Sequence, residues 1–276
     1  MKRLAIALFA VTGLSVGLTQ IASAADLPVK APPIVAAPAA WNWTGFYAGV
    51  SLGGRWSDPT WNTSAIGGPA PGQLRPADPA TSSMNFDSST FRVGGYLGYN
   101  WQFTPQWLVG LEGDLAWGDS SKTNGGVPGS FGGTPGFGSA PPAATGVDSS
   151  WVKENWDASI RARLGFLVTP TWLIYATGGV AFQDVEVGAS CTGTGPSWCG
   201  PARNESISSV RTGWTIGGGV EAMVWQNWLA RVEYRYSDYG SIDHTFFSVP
   251  STADEVVSSV KLRTNTVLGG IAYKFN

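Results

Sequence analysis

Residues 107–117, with the sequence WLVGLEGDLAW, decide the fold. Side chains of an extended strand alternate between two faces, so Trp107, Leu111 and Trp117 share one face. From residue 110 to residue 116 the other face carries two small residues and two carboxylates. One face is therefore apolar and has a tryptophan at each end, whereas the opposite face is charged. The two tryptophans are ten residues apart, which at about 3.3 Å per residue and a tilt of about 40° spans about 25 Å.

The same spacing recurs along the chain. Aromatic residues ten positions apart bound the apolar face at Phe46 and Trp56, Phe91 and Trp101, Trp107 and Trp117, Trp156 and Phe166, and Trp172 and Phe182. A soluble sheet would bury its apolar face, and its aromatic residues would scatter along that core. A transmembrane barrel turns the apolar face to lipid and places aromatic residues at the two headgroup levels. We therefore expect a membrane barrel rather than a secreted, tryptophan-rich carbohydrate-binding module.

Short turns and long loops alternate along the chain. Three short turns of similar sequence lie at residues 103–108, 168–173 and 226–229. Four stretches rich in Gly, Pro and Ser lie near residues 57–87, 119–150, 184–207 and 238–259. Because lipid cannot hydrogen-bond a free sheet edge, the last strand must pair with the first. The pattern predicts an all-β fold, an eight-stranded antiparallel up-and-down transmembrane β-barrel over residues 43–276 with four long extracellular loops.

The composition excludes two broad classes of protein. The chain has 276 residues, of which 13% are charged, together with 37 Gly and 14 Trp. Disorder requires high charge and few aromatic residues, and nucleic-acid binding usually shows a basic excess. With 17 Lys and Arg against 19 Asp and Glu, the chain fits neither class. We expect no nucleic-acid partner.

The N-terminal region predicts export. Lys2 and Arg3 precede an apolar run, and residues 22–24 are the small residues of a signal-peptidase site. The run is shorter than the roughly 20 residues of a spanning helix, so a signal peptide over residues 1–24 is favoured over a membrane anchor. The Pro- and Ala-rich residues 25–42 predict an extended periplasmic tether.

Two cysteines, Cys191 and Cys199, are the only ones in the chain. Export leads to an oxidising compartment, where we expect these two residues to form a disulfide. The alternative is a metal site, but no His, Asp or Glu lies between them.

Charged residues on the inward face of the strands predict an ion network in the lumen. These residues are Arg55, Arg92, Glu112, Asp114, Asp157, Arg161, Arg163, Arg211, Glu221, Arg231, Glu233, Arg235 and Lys274. An eight-stranded barrel is just wide enough for side chains to fill it, and buried ions must pair. We expect a structural plug with a net positive charge. Two alternatives are an acid and base pair at Glu112 and Asp114, and a narrow ion channel through space left by inward glycines.

Catalytic and cofactor sites find little support in the sequence. His244 is the only histidine, so the chain cannot build a site from several histidines. We expect no enzyme activity, no metal and no cofactor.

The last strand carries an assembly signal. Tyr273 and Phe275 alternate with polar residues at the C-terminus. This pattern resembles the C-terminal signal of bacterial outer-membrane proteins that the barrel-assembly machinery recognises.

Short motifs along the chain resemble a known family. They are Trp43–Gly49, Gly110–Asp114, Ala176–Ala181, Val232–Tyr236 and Tyr273–Phe275. Together they resemble the alpha-proteobacterial outer-membrane β-barrel proteins of the 25/31-kDa surface-antigen type, which are similar in architecture to OmpX and the barrel domain of OmpA. The resemblance implies an abundant protein of the bacterial outer membrane that contributes to envelope integrity and contacts lipid and lipopolysaccharide. We expect a monomer.

Some members of that family are described as porins and others as haemin binders. The resemblance therefore leaves two alternatives, a narrow porin-like channel and a haemin-binding surface protein. For haemin, His244 beside Tyr236 and Tyr239 is the candidate iron ligand.

Overall fold

The computed structural model describes most of the chain beyond the predicted signal peptide and tether. The described residues are 41–67, 73–129, 148–192, 199, 201–248 and 255–275. The predicted signal peptide, 1–24, and nearly all of the predicted tether, 25–42, lie outside them. The described part contains no helix with the length and apolar character needed to cross a membrane.

Eleven strands make up the described fold. They are β1 (Gly45–Ser57), β2 (Thr60–Gly67), β3 (Leu74–Pro76), β4 (Ser83–Asn85), β5 (Ser88–Gln102), β6 (Trp107–Gly125), β7 (Ser149–Thr169), β8 (Trp172–Cys191), β9 (Arg203–Trp225), β10 (Trp228–Phe246) and β11 (Val256–Lys274).

Eight of these strands close into a ring. β1 and β5 to β11 pair in chain order, every neighbouring pair is antiparallel, and β11 pairs with β1. The closing pair runs from Tyr47 opposite Lys274 to Ser57 opposite Thr264. The predicted eight-stranded antiparallel barrel is confirmed. We call the end with the three short turns the turn end, and the opposite end the loop end.

The strands extend further towards the loop end than the sequence pattern predicted. The stretch near 57–87, predicted as a loop, contains β2, β3 and β4, and β2 continues beside β11. The other three predicted loops are shorter because β6 to β11 run past the predicted boundaries. The pattern failed there because β-bulges interrupt the alternation, for example between Glu154 and Asp157.

Apolar side chains cover the outer face of the ring. Leu97 is 66% exposed and Ile160 is 63% exposed near the middle of their strands. Aromatic residues pair across strands at the turn end, with ring centroids 5.0 Å apart for Trp107 and Phe166. An apolar face of this extent is unusual for a soluble monomer and agrees with a band that faces lipid.

The interior has two apolar layers, one near each end. The turn-end apolar layer consists of Trp43, Tyr47, Tyr96, Leu108, Leu167, Leu173, Tyr175, Met223, Leu229 and Ala272. The loop-end apolar layer consists of Trp61, Phe86, Val127, Val152, Ala181, Val185, Val187, Ala189, Tyr239, Ile242, Phe246, Phe247, Val256, Val260 and Leu262. Trp43 is fully buried, and its indole N–H donates to the carbonyl oxygen of Pro170 at 3.0 Å. The layers confine the charged side chains to the middle of the lumen.

Inward glycines make room for tyrosine side chains. Tyr47 lies opposite Gly98 in the register, and a Cβ atom on Gly98 would lie 2.5 Å from Tyr47 Cζ. Tyr175 lies opposite Gly219 in the same way, and a Cβ atom there would lie 2.8 Å from the Tyr175 hydroxyl oxygen. Both tyrosine rings therefore fit only because the facing residue on the neighbouring strand is a glycine.

We predict that Gly98→Val destabilises the barrel by about 1–3 kcal/mol or more, because overpacking forces the Tyr47 ring to move. Gly95→Val is the matched control, since Gly95 lies on the same strand and a Cβ atom there meets nothing closer than 3.7 Å. Urea unfolding in detergent micelles, followed by tryptophan fluorescence, measures the difference. Equal losses of stability in the two variants would contradict this account.

Candidate functional site: the ion network

Alternation on three strands supplies most of the charged side chains in the lumen. Glu112 and Asp114 alternate on β6, as do two arginines on β7, and β10 contributes Arg231, Glu233 and Arg235. Small residues lie beside them in the register, for example Gly219 opposite Glu233. The long side chains therefore reach across the lumen rather than along the wall.

The cluster nearer the turn end centres on Glu112 and Arg161. Arg161 Nη2 lies 2.5 Å from Glu112 Oε1, and its Nη1 lies 2.6 Å from Glu233 Oε1. Arg231 also contacts Glu112 from β10. Arg163 pairs with Glu221 at 2.7 Å. These pairs join β6, β7, β9 and β10 through the interior.

The cluster nearer the loop end centres on Asp114 and Asp157. Arg92 lies 2.7 Å from Asp114 and 2.5 Å from Asp157. Arg235 reaches Asp114 at 3.0 Å, and Arg55 reaches Asp157 at 3.1 Å. Because each carboxylate meets at least two guanidinium groups, these pairs tie β1 and β5 to β6, β7 and β10.

Tyrosines connect the ion pairs to the turn-end apolar layer. The Tyr47 hydroxyl donates to Glu112 Oε2 at 2.8 Å, and the Tyr175 hydroxyl donates to Glu233 Oε2 at 2.9 Å. The guanidinium carbon of Arg231 lies 3.6 Å from the centroid of the Tyr96 ring, a cation–π contact. These three tyrosines thus pack in the turn-end apolar layer and also bind charged side chains of the ion network.

Glu154 belongs to the network although the sequence analysis missed it. Its Oε2 accepts a hydrogen bond from Ser57 Oγ at 2.5 Å and lies 3.5 Å from Arg55 Nη2. Simple alternation from Asp157 would point Glu154 outward. The bulge between Glu154 and Asp157 turns it into the lumen instead. No local sequence signal marks this bulge.

Two predicted members, Arg211 and Lys274, lie elsewhere. Arg211 donates to the carbonyl oxygen of Ser241 at the loop end, and Lys274 is buried at the turn end, close to Gly45. The ion network in the structure consists of Arg55, Arg92, Glu112, Asp114, Glu154, Asp157, Arg161, Arg163, Glu221, Arg231, Glu233 and Arg235. Six arginines face six carboxylates, so the ion-paired network is formally balanced. A positive excess over the whole lumen stays a prediction that rests on Arg211 and Lys274.

The residues considered for catalysis and haemin binding do not form a site. Glu112 and Asp114 are both held by arginines. His244 Nε2 lies 2.8 Å from Glu205, whereas Tyr239 is buried in the loop-end apolar layer and Tyr236 lies against Trp214 on the outer face. Among the described residues, no group of three or more His, Cys, Asp or Glu side chains is arranged to hold a metal ion.

The remaining predicted residues lie at the two ends of the barrel. Cys191 ends β8 and forms a disulfide with Cys199. At the turn end, Tyr273 lies on the outer face with its ring centroid 5.5 Å from that of Trp228 and 5.3 Å from that of Phe275. Tyr273 near the end of β11 and Phe275 just after that strand are therefore both exposed.

Comparisons with known proteins agree with this architecture. The family model described as the outer membrane protein beta-barrel domain matches residues 33–275. The 25 kDa outer-membrane immunogenic protein of Brucella abortus is 28% identical over 258 residues, which cover 92% of this chain and 91% of that protein. The 22 kDa outer membrane protein of Rhizobium leguminosarum is 31% identical over 191 residues, which cover 68% of this chain and 69% of that protein.

A solved structure shows the same fold. The outer membrane protein OprG from Pseudomonas aeruginosa aligns with a TM-score of 0.52 at 13% identity, over 85% of this chain and 98% of OprG. The fold, the family match and the relatives agree with the lipid-facing band and the closed ring. The chain belongs to the outer membrane protein β-barrel family and is a protein of the bacterial outer membrane.

Proposed function

We propose that this protein is a structural and surface-exposed barrel that contributes to the integrity of the outer membrane and has no catalytic role. The observation that carries the proposal is the neutral ion network enclosed between two apolar layers. A lumen filled in this way supports a rigid element of the membrane. The loop end faces the outside of the cell, and several relatives are named immunogenic outer-membrane proteins.

Features of the outer surface support contacts with lipid, with lipopolysaccharide and with the barrel-assembly machinery. Its apolar band contacts membrane lipid, and its loop end contacts lipopolysaccharide in the outer leaflet. Tyr273 and Phe275 engage the barrel-assembly machinery during insertion. Closure of the ring within one chain supports a monomer.

The filled lumen favours a structural role over the narrow channel. Arg161 and Arg163 are fully or almost fully buried among their carboxylate partners. An ion that crossed the barrel would have to displace paired charges and then pass both apolar layers. Barrels with open aqueous channels have about 16 strands.

A deletion strain tests the proposed function. We expect loss of the gene to increase sensitivity to detergent and entry of a normally excluded dye, and expression of the unchanged protein to restore the barrier. Gly98→Val, which disturbs packing in the lumen, should restore it less well than Gly95→Val. A deletion strain with an unchanged barrier would overturn the envelope role.

Purified protein in planar lipid bilayers tests the alternative channel. We expect insertion without stepwise conductance, because the two apolar layers and the ion network between them block the lumen. Step-like single-channel currents from the folded protein would show that the lumen conducts ions.

The buried ion pairs predict a large loss of stability when one carboxylate is removed. Glu112→Gln removes the carboxylate that Arg161 and Arg231 share. It leaves one positive charge of the buried network uncompensated, and we expect a loss of about 3–5 kcal/mol in the free energy of unfolding. The control is Glu186→Gln, which removes a partly exposed pair with Lys153 at 3.3 Å and should cost no more than about 1 kcal/mol. The hydrogen bond from Trp151 lowers the pKa of Glu186, so the control also removes a charge.

Urea unfolding of folded protein in micelles measures both losses. A double variant, Glu112→Gln with Arg231→Gln, removes one charge of each sign and should recover part of the stability. If the single and double variants lose the same amount, the cost does not arise from an uncompensated charge.

A further inference from the structure

The barrel wall is split between β9 and β10 at the loop end. Their backbone register runs from the turn end only as far as Trp214 opposite Asp238. Beyond that pair, β9 continues beside β8 as far as Arg203, and β10 continues beside β11 as far as Phe246. We call the boundary between residues 203–213 and 239–246 the seam. Each of these segments has a paired strand on one side only.

A bulge in β10 explains the split. The register between β10 and β11 shifts between Asp238 and Ser241, and Gly240 has a φ of 71°. The Asp238 carboxylate accepts a hydrogen bond from the Gly240 backbone N–H at 2.9 Å and so fixes the bulge. Since a bulge bends its strand and increases the twist, β10 turns away from β9 at this point. At Gly213 the strands are still close, because a Cβ atom there would lie 2.7 Å from Tyr239 Cα.

Side chains bridge the seam instead of a backbone ladder. Glu205 Oε2 accepts a hydrogen bond from the Phe247 backbone N–H at 2.6 Å, and Glu205 Oε1 lies 2.8 Å from His244 Nε2. Arg203 donates to the carbonyl oxygen of Phe247 at 2.8 Å, and Arg211 donates to that of Ser241. We call Arg203, Glu205 and Arg211 the latch.

The loop-end apolar layer lies directly behind the latch. Ile207, between two latch residues on β9, packs against this layer. Tyr239, Ile242 and Phe246 contribute to the layer from β10. Ser209 Oγ, also on β9, is buried without a hydrogen-bond partner among the described residues. Among the described residues, no backbone ladder crosses the seam, and side-chain contacts separate the apolar interior from the outside there.

Between other neighbouring strands, less of the strand length lacks a backbone ladder at the loop end. β7 and β8 pair from Ser149 opposite Ser190 down to the turn end, with two local irregularities. The ladder between β5 and β6 also stops before the loop end, at Val93 opposite Trp117. The unpaired part of β5 is short, however, because that strand begins at Ser88. The β9 segment along the seam is longer.

We propose that the seam is a lateral opening in the barrel wall. When the latch releases, β9 and β10 separate above Trp214 and expose the loop-end apolar layer sideways, while the ring below remains closed. Within the described residues, opening breaks the hydrogen bonds of the latch side chains and no backbone ladder, so it belongs to the low-stability part of the molecule. The inference does not depend on the envelope role, since it concerns only how the loop end moves.

Cysteine labelling tests the opening. Ile242→Cys places a thiol behind the seam, and Val187→Cys places one in the same apolar layer behind the continuous wall of β7 and β8. Both positions are buried, at 3% and 1% exposure, and the native cysteines are joined in a disulfide. We expect a water-soluble maleimide to label Ile242→Cys about tenfold faster in folded protein, because side-chain hydrogen bonds replace the backbone ladder between the described residues of the seam.

The latch variant Glu205→Ala should accelerate labelling of Ile242→Cys further and leave Val187→Cys unchanged. Glu186→Ala is the matched control, since that carboxylate joins β8 to β7 beside an intact ladder. Equal labelling of the two thiols, or no response to Glu205→Ala, would overturn the proposal. Heat-modifiable gel mobility verifies that each variant is folded.

Amide hydrogen exchange on the unmodified protein gives a second measurement in case a cysteine variant fails to fold. Amides of residues 203–213 that point into the seam should exchange faster than amides at the loop end of β7, residues 149–154. Equal protection of the two segments would show that the seam is closed as firmly as the rest of the wall.

Discussion

Charged side chains on a lipid-facing barrel can be accommodated only in the lumen, and there they must be paired. This constraint fixes the arrangement of the strands. Asp114 on β6 binds Arg235 on β10 across the interior, so strands that are not neighbours hold each other in register. A slip of one residue would exchange the faces and bring Arg161 or Glu233 into contact with lipid. The ion pairs therefore select one register from those that backbone hydrogen bonding alone would permit.

The two apolar layers complete this arrangement. Trp43 at the turn end and Trp61 at the loop end are both fully buried, and they separate the ion pairs from water on either side. Exclusion of water strengthens each ion pair but raises the cost of leaving a charge without a partner. Equal numbers of arginines and carboxylates are the stable outcome.

Alternation predicted the lipid-facing band, the eight barrel strands and most of the inward charges, because those features follow from a period of two along each strand. It failed where the period is broken. The bulge before Asp157 brings Glu154 inside, and Arg211 keeps its inward position but bonds to β10 at the loop end. Partners across the lumen, such as Arg163 and Glu221, depend on the closed ring, so no local sequence signal could identify them.

The position of the seam follows from where the barrel wall passes from lipid into water. Within the lipid band an unpaired backbone group has no partner, so the ladder between β9 and β10 has to continue there. It ends at Trp214, a tryptophan on the outer face beside Tyr236, where headgroups and water begin. Above that level water can satisfy the freed groups, and the wall can separate at little cost. The bulge next to Asp238 is therefore tolerated only because it lies beyond the aromatic residues that mark the edge of the membrane.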